Sequence, residues 1–225
     1  NVTAFADSLT ASGVTAKFGL VSFGDVKQDP APAVRNFGLT SDVNKFKSDV
    51  STLTANGGGD LPESALEALV EGLKMPFTSG ASKFFVLITD VEAKNKGDEA
   101  DGDLVIGDVI NSLAANGVTV FSVIPFPPDG NAADAQTELG PIATSTGGSI
   151  EDIRGNFGTV LSTLSGKISS STLVSITNLA RINGGAVDSN LVTADRYRYK
   201  ESAGAFSGFS PMPITSAAAI GFKIQ

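Results

Sequence analysis

One uninterrupted apolar run limits the folds that this chain can adopt. Phe84 to Ile88 are five apolar residues in succession, and Thr89 and Asp90 follow them directly. A strand without polar positions is buried on both faces, which is typical of a parallel sheet covered by helices. The hydroxyl and the carboxylate fall where this strand leaves the sheet, and ligands of open α/β sheets bind at that carboxyl edge. The run therefore predicts a central strand with a candidate site at its end.

The segments around this run alternate between strands and amphipathic helices. Further strands or extended pieces are predicted at 16–23, 34–39, 118–124 and 149–153. Apolar residues at helical spacing predict helices at 1–12, 42–53, 62–74, 105–115, 132–145 and 157–168. Such alternation implies right-handed βαβ units. The predicted fold class is therefore α/β, a three-layer and mostly parallel sheet with helices on both faces.

The composition changes after the last predicted helix. Residues 169–225 are rich in serine, threonine, glycine and alanine, and they carry no apolar stripe at helical spacing. The β-prone pieces of this segment are 173–176, 196–199 and 219–224. We therefore expect one domain at 1–168, followed by a β-rich C-terminal extension or part of a second domain.

The composition also argues against several classes of function. The chain has 24 acidic and 16 basic residues and a formal net charge of −8, so binding to a nucleic-acid backbone is not expected. It has no cysteine and no histidine, which removes thiol nucleophiles, the usual zinc sites and histidine acid–base catalysis. No apolar run is long enough to cross a bilayer. We expect a protein that is not an enzyme; catalysis by carboxylates and Mg²⁺ alone is the remaining alternative.

A glycine-rich loop precedes the helix predicted at 62–74. The loop at 57–63 reads GGGDLPE. Asp60 and Glu63 supply the hard carboxylate oxygens that Mg²⁺ or Ca²⁺ prefers, and the glycines allow backbone carbonyls to approach the same ion. The structural alternative is a helix start, in which the acidic residues cap free N–H groups and Pro62 occupies the first turn.

Three segments in this order resemble a von Willebrand factor type A domain, and within that superfamily the I-like domain of integrin β subunits. They are FGLVSFGD at 18–25, GGGDLPE at 57–63 and FFVLITD at 84–90. The resemblance covers residues 1–168. It implies a divalent cation at the carboxyl edge of the sheet.

The resemblance also assigns ligands residue by residue. Glu63 matches the middle-loop ligand of a primary Mg²⁺ site, and Asp90 matches a later aspartate of that site. A supporting Ca²⁺ site is implied next to it, with ligands matching Asp25, Asp60, Glu63 and the carbonyl of Pro62. The predicted metal ligands are therefore Asp25, Asp60, Pro62, Glu63 and Asp90.

The sequence departs from the family's pattern in two places. The Asp-x-Ser-x-Ser loop that follows the family's first strand has no counterpart, and Gly58 stands where integrins often have an asparagine ligand. We expect either that sequence before Asn1 is missing or that another chain supplies the central strand. A sheet without that strand would expose unpaired backbone groups.

The resemblance implies one function, and the low charge density, the many small residues and the missing strand indicate an alternative. The first is an adhesion or protein-binding module, extracellular or at the cell surface, whose Mg²⁺ accepts a carboxylate from a protein partner as its last ligand. The alternative is a structural subunit of a surface or extracellular assembly. In that case the von Willebrand factor A fold is a scaffold and other protomers are its partners.

Overall fold

Most of the N-terminal three quarters of the chain can be described in atomic detail. The computed structural model describes residues 2–54, 61–96, 103–126 and 132–172, together with four short strands nearer the C-terminus. Among these residues, no helix combines the length and the apolar character that a membrane crossing requires.

Helices and strands alternate along the described residues. The helices are α1 (Val2–Ala11), α2 (Val43–Ser51), α3 (Ala65–Leu73), α4 (Ile106–Ala115), α5 (Ala132–Ser145) and α6 (Phe157–Thr172). The strands of the same part are β1 (Phe18–Phe23), β2 (Val34–Thr40), β3 (Lys83–Ile88), β4 (Val118–Ile124) and β5 (Ile150–Asp152). Each element predicted for this part has a counterpart whose ends differ by a few residues at most. The predicted α/β class is confirmed.

The C-terminal strands form two small antiparallel pairs. They are β6 (Arg181–Asn183) with β7 (Ala186–Asp188), and β8 (Lys200–Glu201) with β9 (Ile220–Gly221). The β-prone piece at 219–224 overlaps β9, whereas the pieces at 173–176 and 196–199 lie outside the described residues. The division of the chain at residue 169 stays a prediction.

The strands of the main domain form two separate sheets. β3, β4 and β5 are parallel neighbours, with Val86 opposite Phe121 and Val123 opposite Glu151. β1 pairs with β2 in antiparallel orientation. Among the described strands, β1 and β3 are not hydrogen-bonded to each other, and every residue of both lines a cavity of about 1590 Å³. We call this cavity the strand gap, because a central strand would pair with the two edges that line it.

Helices cover both faces of the parallel sheet. Along β4, Val120 and Ile124 belong to a buried cluster that includes α3, α4 and α5, whereas Phe121 and Val123 belong to a cluster that includes α1, α2 and α6. Successive side chains of a strand point to opposite faces, so a strand with apolar residues on both faces contributes to two cores at once. The three-layer arrangement follows from this alternation.

A substitution at Gly148 tests how closely this sheet packs against the turn between α5 and β5. A Cβ atom at this position would lie 1.7 Å from the carbonyl oxygen of Val120, a backbone atom of a buried strand. Neither backbone can move cheaply, so we expect Gly148→Ala to lower the free energy of unfolding by about 3 kcal/mol. Urea unfolding of the purified domain measures this change.

Gly166 is the matched control. It is an exposed residue in the middle of α6, and a Cβ atom there would meet no neighbouring heavy atom. We expect Gly166→Ala to raise the free energy of unfolding by about 0.5–1 kcal/mol, because alanine restricts the unfolded chain and favours the helix. Equal midpoints for the two variants would contradict the packing described for Gly148.

Candidate functional site at the carboxyl edge of the sheet

Ser64 joins the carboxyl end of β1 to the start of α3. Its backbone N–H donates to the carbonyl oxygen of Gly24 at 3.0 Å. Its Oγ accepts a hydrogen bond from the backbone N–H of Val26, also at 3.0 Å. Ser64 is completely buried. The loop after β1 is therefore held against the first turn of α3 by one residue.

Glu63 joins the same turn to the segment that follows β3. Its N–H donates to the carbonyl oxygen of Glu92 at 3.0 Å, and its own carbonyl accepts the N–H of Lys94 at 2.8 Å. These bonds form a parallel bridge between Glu63 and Ala93. The carboxyl ends of β1 and β3 thus converge on the start of α3, as expected for an edge that binds ligands.

Asp25 is a fully buried carboxylate at this edge. Its Oδ1 accepts hydrogen bonds from the backbone N–H groups of Lys27 at 2.6 Å and Gln28 at 3.2 Å. Its Oδ2 lies 3.2 Å from the Nζ of Lys94, whose side chain is also buried. A buried carboxylate requires such compensation, because the loss of hydration is otherwise very costly.

Gly24 leaves room for two further carboxylates. A Cβ atom at this position would lie 2.2 Å from Oδ2 of Asp29 and 3.9 Å from Oε2 of Glu63. Asp29 also accepts the N–H of Asp25 at 2.9 Å through the same oxygen. A side chain at this position would displace the carboxylate of Asp29, so Gly24 allows that carboxylate to lie close to the backbone of the loop after β1.

Glu67 lies one turn further along α3 and contributes another acidic group. It is half-buried; both carboxylate oxygens are shielded from solvent and accept no hydrogen bond from another described residue. Burial raises the pKa of the Glu67 carboxyl; its own backbone N–H opposes the rise, and nearby Asp103 adds to it. The charges of Lys27 and Lys94 oppose the rise as well. Lys27 in turn forms an exposed ion pair with Asp103 at 3.0 Å.

The predicted site residues have different outcomes. Asp25 and Glu63 lie at this edge, and Pro62, the residue before Glu63, is half-buried in the turn that precedes α3. Asp90 is exposed directly after β3. Asp60 lies outside the described residues, so its part in the site stays a prediction.

The oxygen atoms at this edge suit a hard cation such as Mg²⁺ or Ca²⁺. The space that Gly24 leaves beneath Asp29 and Glu63 is consistent with such an ion. Within the described ranges, however, no three acidic side chains are grouped closely enough to hold a metal by themselves. A complete site would therefore need backbone carbonyls, water or residues beyond these ranges.

A second cavity, of about 1200 Å³, lies at the opposite edge, where β3 and β4 begin. Two lysines line it. Lys83 donates to the carbonyl oxygen of Asn116 at 2.7 Å, and Lys167 binds Glu151 at 2.6 Å. Both ammonium groups are thus engaged in local contacts, and the carboxyl edge is the stronger candidate for a functional site.

Sequence reasoning missed three residues of the site: Asp29, Glu67 and Lys94. The spacing of Glu63 and Glu67, four residues apart within the helix predicted at 62–74, was an available signal, because residues at this spacing share a helix face. Lys94 gave no signal, since a lysine in a polar loop is normally exposed.

Glu67 predicts a dependence of stability on pH. Its folded carboxyl has a pKa above the ordinary value of 4.5, so the folded chain holds this proton more tightly and loses stability as pH rises through that range. Glutamine cannot ionise. We therefore expect the stability of Glu67→Gln relative to wild type to increase from about pH 4 to about pH 7, measured by urea unfolding in EDTA.

Glu71 provides a control of opposite sign on the same helix. Hydrogen bonds from Lys74 and Asn36 lower the pKa of its carboxyl, so its contribution to stability is present at neutral pH and lost in acid. Glu71→Gln should become less stable relative to wild type over the same pH interval. The same trend in both variants would contradict the electrostatic account of Glu67.

The comparison with protein families agrees with the fold. A family model of the von Willebrand factor A domain matches residues 5–104, which include Asp25, Glu63 and Asp90. No curated protein matches the chain. The similarity to integrin β I-like domains and the missing Asp-x-Ser-x-Ser loop stay predictions. Residues 5–104 therefore have the sequence pattern of a von Willebrand factor A domain, a type of domain that commonly mediates protein–protein interaction.

Proposed function

We propose that this domain is a cation-dependent protein-binding module that presents the carboxyl edge of its sheet to a partner. The observation that carries the proposal is the convergence of two strand ends on Glu63, in the turn before α3. Hydrogen bonds hold this residue on both sides, through the carbonyl of Glu92 and the N–H of Lys94. A carboxylate on so fixed a backbone loses little conformational freedom when it binds.

Glu63 and Asp90 are the side chains that would hold Mg²⁺. The family resemblance would assign a supporting Ca²⁺ to Asp25, Asp60, Glu63 and the carbonyl of Pro62. When bound, the cation supplies an open coordination position for a carboxylate of the protein partner. Asp90 is exposed, which leaves this side of the edge accessible to such a partner.

The charge of the chain supports a cation in this role. With a formal net charge of −8 and several carboxylates at the edge, the domain alone would repel an acidic partner. A divalent cation held by Glu63 and Asp90 would neutralise their two negative charges and offer an open coordination position to a carboxylate of the partner. Binding rather than catalysis is proposed, because the geometry offers hard oxygen ligands and the sequence contains no histidine or cysteine.

We also propose that the domain acts at the cell surface or outside the cell. Extracellular modules bind divalent cations weakly, Ca²⁺ with dissociation constants of about 10⁻⁴–10⁻³ M, and a primary site with few charged ligands would be of this kind. The location is part of the same proposal as the metal site.

Glu63 provides the test of the metal site. We expect Glu63→Gln to weaken binding of Mg²⁺ by at least about tenfold in isothermal titration calorimetry, because one carboxylate ligand is lost. Glu71→Gln, two turns further along α3, is the control and should leave the affinity unchanged. If Glu63→Gln binds Mg²⁺ as tightly as wild type does, the assignment is rejected.

A second candidate function is a scaffold in an assembly of several protomers. The strand gap favours it, because β1 and β3 each have one edge without a strand partner among the described residues. A strand from another protomer could pair with both edges.

The oligomeric state separates the two candidates. If a second protomer fills the strand gap, native mass spectrometry of the chain should give an oligomer. Backbone amides of both β1 and β3 should then be protected from hydrogen exchange. A monomer whose β1 and β3 edges exchange quickly would exclude strand donation between copies.

A further inference from the structure

Lys94 is a buried ammonium at the edge that the proposed metal site would occupy. Its Nζ lies 3.2 Å from Oδ2 of Asp25, and the two side chains are 2% and 0% exposed. Lysine is almost never buried to this degree unless it is paired, because an ammonium is strongly hydrated. Its depth and its contact with Asp25 therefore need a structural reason.

The backbone around Lys94 is held on both sides. The preceding residue, Ala93, donates its N–H to Oε2 of Glu138 at 2.8 Å. The N–H of Lys94 donates to the carbonyl of Glu63, also at 2.8 Å, and Oδ1 of Asn95 accepts the N–H of Ile106 at 3.3 Å. These anchors fix the segment from which the lysine side chain reaches Asp25.

The contacts of Asp25 leave little capacity for a metal ion. Its Oδ1 already accepts two backbone hydrogen bonds, and its Oδ2 faces the Lys94 ammonium. A divalent ion bound to this carboxylate would lie beside a positive charge in a region shielded from water, where like charges repel strongly. The ligand set that the family resemblance assigns to a supporting Ca²⁺ therefore fits this chain poorly at Asp25.

We propose that the ammonium of Lys94 takes the place of the supporting Ca²⁺ in this domain. It compensates the buried charge of Asp25 from a side chain that is part of the fold. Through its backbone it also binds Glu63, so the edge is held together without a second metal. This inference does not depend on Mg²⁺ binding at Glu63 and Asp90; it concerns only the charge beside Asp25.

The test removes the lysine side chain and measures whether Ca²⁺ then binds beside Asp25. Wild type, Lys94→Ala and the double variant Asp25→Asn/Lys94→Ala are compared in calorimetric Ca²⁺ titrations and in thermal unfolding with EDTA or Ca²⁺. We expect Lys94→Ala to bind Ca²⁺ at least tenfold more tightly than wild type, or to bind one additional equivalent. Ca²⁺ should raise its unfolding temperature. The double variant should lose both the gain in Ca²⁺ binding and the rise in unfolding temperature with Ca²⁺.

Two further variants separate this effect from others. Lys27→Ala removes a lysine from the exposed pair with Asp103 at the same edge, and it should gain no Ca²⁺ site. Asp25→Asn with Lys94 intact should leave the Ca²⁺ affinity of the wild type unchanged. Mg²⁺ binding at the primary site is measured separately, in titrations of wild type and Asp90→Asn with Mg²⁺ alone. A failure of the proposed Mg²⁺ site can therefore be distinguished from a failure of the proposal for Lys94.

The outcomes that overturn the proposal are specific. One is a Lys94→Ala protein that binds Ca²⁺ no better than wild type; another is a wild-type Ca²⁺ site that Asp25→Asn abolishes. If Lys94→Ala is unfolded in EDTA, we expect Ca²⁺ to restore its circular dichroism spectrum, because Asp25 is then compensated again. Failure of Ca²⁺ to restore it, while the double variant folds in EDTA, also overturns the proposal.

Discussion

The buried carboxylate of Asp25 is the constraint on which the carboxyl edge depends. Once this charge is removed from water, the fold must supply donors and a cation around it. Backbone N–H groups of the loop after β1 satisfy one oxygen, and Lys94 approaches the other at 3.2 Å. Because Lys94 follows β3, this interaction joins the ends of two strands that do not pair with each other among the described residues.

Much of the fold could be predicted from local sequence patterns. The apolar run of β3 and the apolar residues of β4 required a sheet buried on both faces, and the helical stripes around them supplied the covering layers. The fold class and the order of the elements were predicted correctly because periodicity reports burial. The prediction of β3 as a central strand was wrong for the described strands: β3 lies at the edge of its three-stranded sheet, and only Leu87 of its residues is buried. The separation of the strands into two sheets was less accessible, since strand pairing depends on contacts distant in sequence.

The candidate site was predictable only in part. Asp25 and Glu63 were identified through the family's pattern, and both lie at the predicted edge. Asp29 and Lys94 stand in polar loops, where sequence alone predicts exposure. Their positions are fixed by tertiary hydrogen bonds, such as that between Asp29 and the N–H of Asp25, which leave no trace in spacing or composition.

The strand gap has a kinetic consequence. A segment that enters it is flanked by β1 on one side and β3 on the other, so it forms two hydrogen-bond ladders, whereas a strand added to an outer edge forms one. Leaving the gap requires both ladders to break within the same opening event, and both faces of the segment to be rehydrated. Dissociation would therefore be slow, and a segment once seated would be retained as a lasting part of the domain.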